Sequence, residues 1–198
     1  MEALYRSVFV GLLIMALPAF ASPGEALFQS QCVRCHSVTL ENPDVPILFG
    51  QERGYIEEAL LKFQTGARID HIRGEMGGIS QNLSDENRKE LSRYLVAENV
   101  CSVNQEIDVK KEGFIESFRA GAELEKKYNC QHCHGSFHHA APRLYGQKRD
   151  FLIRTLWAFK NQTRVDPLMN RFAGQLSAEE IENLATYLNG MILMRQCP

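Results

Sequence analysis

Cys32-Val33-Arg34-Cys35-His36 and Cys130-Gln131-His132-Cys133-His134 set the same three reactive residues at the same spacing twice in one chain. Two thiols three residues apart face the same way on one helical turn, and the histidine after the second thiol lies on the same side. Paired thiols of this kind are also seen as half of a zinc site. A histidine joined directly to the second cysteine, and the duplication of the whole unit, point instead to c-type haem. The thiols add to the two vinyl groups of one porphyrin, and the imidazole ligates the iron as proximal ligand. The expected thioether cysteines are Cys32, Cys35, Cys130 and Cys133. The expected proximal ligands are His36 and His134.

Each motif is followed by further residues that such a site needs. Pro46 and Pro142 open the matching segments Pro46–Gln51 and Pro142–Gln147. A proline carbonyl accepting the histidine Nδ1–H would fix the ring and tune its basicity. A methionine follows in each half, in a segment expected to be a loop. Met76 and Met169 each stand seven residues before a Leu-Ser pair. A thioether opposite the histidine is the usual distal ligand of a haem that moves electrons at relatively high potential. His71 is a rival to Met76, because its segment is three residues longer than the matching one. His138 and His139 are rivals in the second half, though close to the motif. His132, inside its motif, is expected to point away from the iron. Arg68 and Arg164 are candidates for pairing with haem propionates or for plain helix-end cations.

These residues are carried on an internal repeat. Tyr55-Ile56 matches Phe151-Leu152, Phe63 matches Phe159, and Arg68 matches Arg164, all at an offset of 96; Met76, Leu83-Ser84 and Tyr94-Leu95 match Met169, Leu176-Ser177 and Tyr187-Leu188 at 93. Each unit reads as helical. A first helix leads into each motif, over roughly 24–35 and 117–133. A middle helix carries Ile56, Ala59, Leu60 and Phe63 on one face, and its counterpart spans about 150–161. A last helix starts after Ser84 and Ser177, and Ser177-Ala178-Glu179-Glu180 is a capping box. No stretch alternates long enough for a paired strand. The expected division is 22–108 and 109–198, with a polar linker near 99–113.

The first 21 residues stand apart. Arg6 precedes an apolar run, Val8 to Leu17, and an A-x-A cleavage site ends at Ala21. This is the pattern of a secretory signal peptide. A membrane anchor is the competing reading, but the run falls short of the ~20 residues a span requires. Export would also permit Cys101 and Cys197, which repeat at an offset of 96, to form a disulfide between the units. With 44% hydrophobic and 23% charged residues the chain is globular in composition. Residues 22–108 hold 8 Lys/Arg against 14 Asp/Glu, and residues 109–198 hold 13 against 9. Such a dipole would orient the protein toward charged partners. The basic residues are dispersed and lack interleaved aromatics, which excludes a nucleic-acid surface.

The paired motifs, the two proline-to-glutamine segments, the methionines, and the Leu-Ser helices with Tyr94 and Tyr187 resemble the class I dihaem cytochromes c, most closely the cytochrome c4 family. The resemblance covers nearly all of the chain after Ala21. It implies an all-α fold of two tandem class I cytochrome c domains, each wrapped around one covalently bound haem and related by a pseudo-twofold axis. It implies two haem c, His36/Met76 and His134/Met169 as axial pairs, and no substrate bound at iron. The implied role is a periplasmic electron carrier and not an enzyme. Its redox partners would be proteins such as a membrane quinol-oxidising complex and a terminal oxidase or reductase. The alternative is the cytochrome subunit of a larger dehydrogenase, such as a flavocytochrome c sulfide dehydrogenase. The Cys101/Cys197 pair, Ser37 in place of a common glycine, and the Gly-rich Met76 segment depart from the family pattern.

Overall fold

A computed structural model describes residues 21–37, 42–70, 73–98, 107–135 and 141–194. The apolar run of the expected signal peptide, His71, Cys101, His138, His139, Cys197 and residues 99–106 of the expected linker lie outside the described residues. Among the described residues the structure is helical, with no strand.

In the first unit, α1 (Pro23–Leu27) starts on the Ser22 hydroxyl, which accepts the Glu25 N–H at 3.1 Å. It continues as a π-turn over Phe28–Cys32 and delivers the chain to the first motif. Helices α2 (Arg53–Gln64), α3 (Met76–Gln81) and α4 (Asp85–Ala97) follow. In the second unit, α5 (Phe114–Tyr128) ends at Asn129, whose φ of 50° turns the chain into the short α6 (Gln131–His134). Helices α7 (Arg149–Lys160), α8 (Pro167–Gly174) and α9 (Ala178–Gly190) complete it. Both last helices carry a reciprocal capping box. Glu180 closes the one on Ser177, as its sequence implies, and Asn87 closes the one on Ser84. The second was not legible in advance, because the usual partner at that position is Glu or Gln.

Each unit has its own core. Phe28, Ile56, Leu83, Leu91 and Leu95 form the first; Leu152, Leu156, Phe159, Ile181, Leu184 and Leu188 are the centre of the second. The first and last helices of each unit cross at backbone contact. A Cβ on Gly24 would lie 2.2 Å from the Glu90 carbonyl oxygen, and one on Gly121 would lie 2.1 Å from that of Asn183. The apolar faces of α1 and α5 approach α4 and α9 this closely only because no side chain intervenes.

The units meet through equivalent residues. Gln51 of the first unit bonds the backbone of Arg143 in the second, and Gln147 of the second bonds the backbone of Ile47 in the first. Ile47 and Arg143 match in the repeat, as do Gln51 and Gln147, so the contact is two-fold in character, as the expected pseudo-twofold relation requires. Charge breaks this symmetry. Glu52, which accepts the Arg143 Nε–H at 2.8 Å, is matched by Lys148, whose Nζ donates to the Asn42 carbonyl at 3.0 Å.

Candidate functional site

The first motif occupies the turn leaving the π-turn. The N–H groups of Cys35 and His36 both donate to the Cys32 carbonyl, at 3.2 and 2.9 Å. In the second motif Cys133 and His134 donate to the Cys130 carbonyl at 3.2 and 3.0 Å. One helical turn therefore carries both thiols and the imidazole in each case, as the spacing dictates. The Asn129 turn that feeds the second motif is reinforced by Glu125, whose Oε1 accepts from the Gln131 N–H at 3.0 Å.

The histidines are fixed by proline. His36 Nδ1 lies 2.9 Å from the Pro46 carbonyl oxygen, and His134 Nδ1 lies 2.7 Å from that of Pro142. A carbonyl only accepts, so Nδ1 carries the proton in both rings, and Nε2 keeps its lone pair for a metal. Burial pushes both imidazoles below their usual pKa, against the opposing effect of the proline hydrogen bond. Both rings are thus held neutral, the form that ligates iron.

The first thiol of each motif is partly buried. Burial, with Cys35 nearby, pushes the Cys32 thiol up to about 11, and burial with Glu125 does the same to Cys130, also to about 11. Among the described residues no group of three or more His, Cys, Asp and Glu side chains is arranged to hold a metal ion.

Both methionines differ in setting from the expected loops. Met76 is the first residue of α3, and Met169 lies in the first turn of α8. Each helix start is held by a carboxylate, at a different distance along the chain. Asp70 Oδ2 accepts the N–H groups of Glu75 and Met76 at 3.1 and 3.4 Å, and Asp70 Oδ1 accepts that of Arg73 at 3.2 Å. Asp166 Oδ1 accepts those of Leu168 and Met169 at 3.0 and 2.9 Å. Asn170 then ties α8 to α7, donating to the Phe159 carbonyl at 2.6 Å and the Arg164 carbonyl at 2.8 Å. Pattern matching missed the two aspartates because they do not share a register relative to the methionines.

One continuous cavity of about 1370 Å³ gathers these groups. Its wall includes Cys32, Cys35, His36 and Met76 from the first unit and Cys130, Cys133, His134 and Met169 from the second. Core side chains such as Ile56, Leu91, Leu95, Leu156, Leu184 and Leu188 make the rest largely apolar. That volume exceeds the ~300–1,000 Å³ of an ordinary single-ligand pocket, and its two clusters of donors stand in separate units. His132 borders the cavity with its side chain exposed. Arg68 and Arg164 are also in the wall and are not plain solvated cations. Each guanidinium stacks on a phenyl ring, at 4.4 Å over Phe63 and 4.5 Å over Phe159. Both donate to the Tyr55 hydroxyl, at 3.3 and 3.4 Å. Paired thiols, a neutral histidine with a free Nε2, a methionine in the same cavity wall and an apolar cleft fit a covalently held haem in each unit.

Comparison with known proteins agrees. The family described as cytochrome c oxidase, cbb3-type, subunit III matches residues 19–95 and 116–188, one match per unit. Cytochrome c-552 of Acidithiobacillus ferridurans is 32% identical, over 93% of this chain and 86% of its own. Cytochrome c4 of Pseudomonas aeruginosa is 25% identical, over 81% of this chain and 83% of its own. The cytochrome c4 structure from Acidithiobacillus ferrooxidans superposes with a TM-score of 0.68 at 30% identity, covering 81% of this chain and 98% of that one. A thiosulfate dehydrogenase from Marichromatium purpuratum shares the fold, with a TM-score of 0.69 at 23% identity, over 84% of this chain but 39% of its own. Two donor clusters on a duplicated helical unit, and these relatives, lead to one assignment: the chain belongs to the dihaem cytochrome c4 family of class I cytochromes c and carries two covalent haem c groups.

Proposed function

We propose that this protein is a periplasmic electron carrier in which Cys32, Cys35, His36 and Met76 hold one haem, and Cys130, Cys133, His134 and Met169 hold the other. The observation that carries the reading is that each thiol pair, its proline-anchored histidine and a carboxylate-anchored methionine border one cavity. The haem supplies the one-electron couple. The protein's part is to hold the groups around it. Pro46 and Pro142 hold the imidazole orientation, Asp70 and Asp166 hold the methionine-bearing turns, and the apolar wall excludes water. Met76 and Met169, as iron ligands, would leave no place for substrate, which suits transfer of electrons and not bond chemistry. Residues 22–108 and 109–198 act as the two domains. No helix among the described residues is long and apolar enough to cross a membrane. The signal-peptide pattern before Ser22 supports export.

Partners are redox proteins, of which a quinol-oxidising membrane complex and a terminal oxidase or reductase are the classes we favour. Val165 and Leu168, 77% and 57% exposed, stand beside Met169 as an apolar approach to the second site. Intact mass of the exported protein tests the reading first, with two covalent haems expected. Reduced-minus-oxidised spectra of the wild type, Met76→Ala and Met169→Ala then test the ligands. Each variant is expected to lose methionine ligation at one haem only and to bind carbon monoxide there. Carbon monoxide binding by the wild type at neutral pH would overturn the assignment, and so would a mass without two haems. Recovery of a stoichiometric catalytic subunit with the native protein would place it as the cytochrome subunit of a dehydrogenase.

A further inference from the structure

The hydrogen bonds that join the two units end beside the prolines that hold the proximal histidines. Gln147 of the second unit takes both backbone groups of Ile47. Its Oε1 accepts the Ile47 N–H at 2.8 Å, and its Nε2 donates to the Ile47 carbonyl at 3.0 Å. Ile47 directly follows Pro46, the acceptor for His36. Gln51 of the first unit does the same in the other direction. Its Oε1 accepts the Arg143 N–H at 2.6 Å, and its Nε2 donates to the Arg143 carbonyl at 3.0 Å. Arg143 directly follows Pro142, the acceptor for His134. Both glutamines are buried, where a hydrogen bond is electrostatically stronger than in water.

We propose that Gln51 and Gln147 are positioning residues acting in trans: each sets the proximal histidine, and through it the redox potential, of the haem in the other unit. This rests on the haem assignment above. A bidentate amide fixes the peptide after the proline. That fixes where the proline carbonyl points, and hence the strength of its bond to Nδ1–H. A stronger bond makes the imidazole a better donor and favours ferric iron. Domain docking therefore tunes both sites at once. Each segment has cross-unit bonds besides those of its glutamine: Glu52 of the first unit accepts from Arg143 Nε at 2.8 Å. The second unit holds residues 42–43, ahead of Pro46, through the Phe151 N–H on the Pro43 carbonyl at 3.2 Å and Lys148 Nζ on the Asn42 carbonyl at 3.0 Å.

The test is a redox titration of the two-haem protein followed by proton NMR, with haem methyl signals assigned to each unit by Met76→Ala and Met169→Ala. Gln147→Ala is expected to raise the potential of the first-unit haem, by about three- to tenfold in its equilibrium constant (about 59 mV per tenfold for one electron). The second-unit haem should move much less. Gln51→Ala is expected to raise the potential of the second-unit haem in the same way. Gln147→Glu keeps the acceptor for the Ile47 N–H but loses the donor to its carbonyl. It should give a smaller shift in the same sense, and it serves where the alanine variant fails to fold. A shift confined to the mutated residue's own unit, or no shift in either with both haems in place, overturns the inference. A wild-type mass lacking two haems would instead remove the assignment on which it rests.

Discussion

The hydroxyl of Tyr55, on α2 of the first unit, accepts a hydrogen bond from the Arg164 guanidinium of the second at 3.4 Å. Arg68, the repeat-equivalent of Arg164, donates to the same oxygen at 3.3 Å. One atom thus receives both members of a symmetric pair, while Phe151, which matches Tyr55, has no hydroxyl. Burial alone would push the phenol up, but the charges of Arg68 and Arg164 outweigh it and bring Tyr55 to about 8.

A stability–pH profile should show this. The folded pKa lies below the ordinary value of 10.0, so the folded state releases the proton first. Stability is then gained as pH rises from about 8 toward 10, is full above that range, and is lost as pH falls back through about 8. The full gain is on the order of 3 kcal/mol. Chemical denaturation of the wild type between these limits should show the rise relative to Tyr55→Phe, which lacks the titrating group. Parallel profiles for the two proteins would disprove the coupling.

Glu57 provides an acidic counterpart. Burial would raise its carboxyl, but hydrogen bonds from Ser92, at 2.6 Å, and Arg53, at 2.9 Å, with the charges of Arg53 and Lys89, hold it below its ordinary value. The stability it contributes is present above pH 4.5, the ordinary value, and is lost as pH falls through the lower folded one. Glu57→Gln should therefore flatten the acid limb of the unfolding midpoint against pH and leave the alkaline limb unchanged. An acid limb as steep as the wild type's would count against it.

Helix crossing makes two glycines sensitive to a single methyl group. Gly121→Ala would place Cβ against the Asn183 carbonyl and the Tyr187 Cβ, and Gly24→Ala would meet the Glu90 carbonyl and the Tyr94 Cβ. Backbone cannot yield as a side-chain tip does, so each helix pair must separate. A loss of about 1–3 kcal/mol is expected from overpacking, measured as a lower denaturation midpoint of the haem-loaded protein. Gly77→Ala, with nothing within 4 Å of its Cβ, is the control. Equal effects at the three positions would contradict the packing argument.

The methionine-bearing turns should respond to their carboxylates. Asp166→Ala removes an N-cap that holds the Leu168 and Met169 N–H groups. It is expected to cost about 0.5–2 kcal/mol and to weaken methionine ligation in the second unit alone. Asp70→Ala should do the same in the first. The check is the methionine-to-iron charge-transfer band of the oxidised protein against denaturant. A band as persistent as the wild type's in both variants would show that the aspartates do not hold these turns.

The sequence by itself determined which groups are candidates for the chemistry. Thioether attachment needs two thiols and a histidine on one turn, and local helix geometry alone meets that need at Cys32–His36 and Cys130–His134. The duplication then marked Met76 and Met169, and the prolines as acceptors, because equivalent positions in two copies reinforce each other. The capping box on Ser177 was legible for the same local reason. Tertiary structure decided what depends on residues far apart in the chain. That Gln51 and Gln147 reach across the joint and that Tyr55 collects two arginines follow from how the folded units dock. The methionines stand at helix starts, not in loops, because a carboxylate several residues away, or an N-cap adjacent in space, supplies the hydrogen bonds that a helix end lacks. Periodicity encodes the face a residue takes on its own helix; which group then meets that face is set only when the cores close and the two units come together.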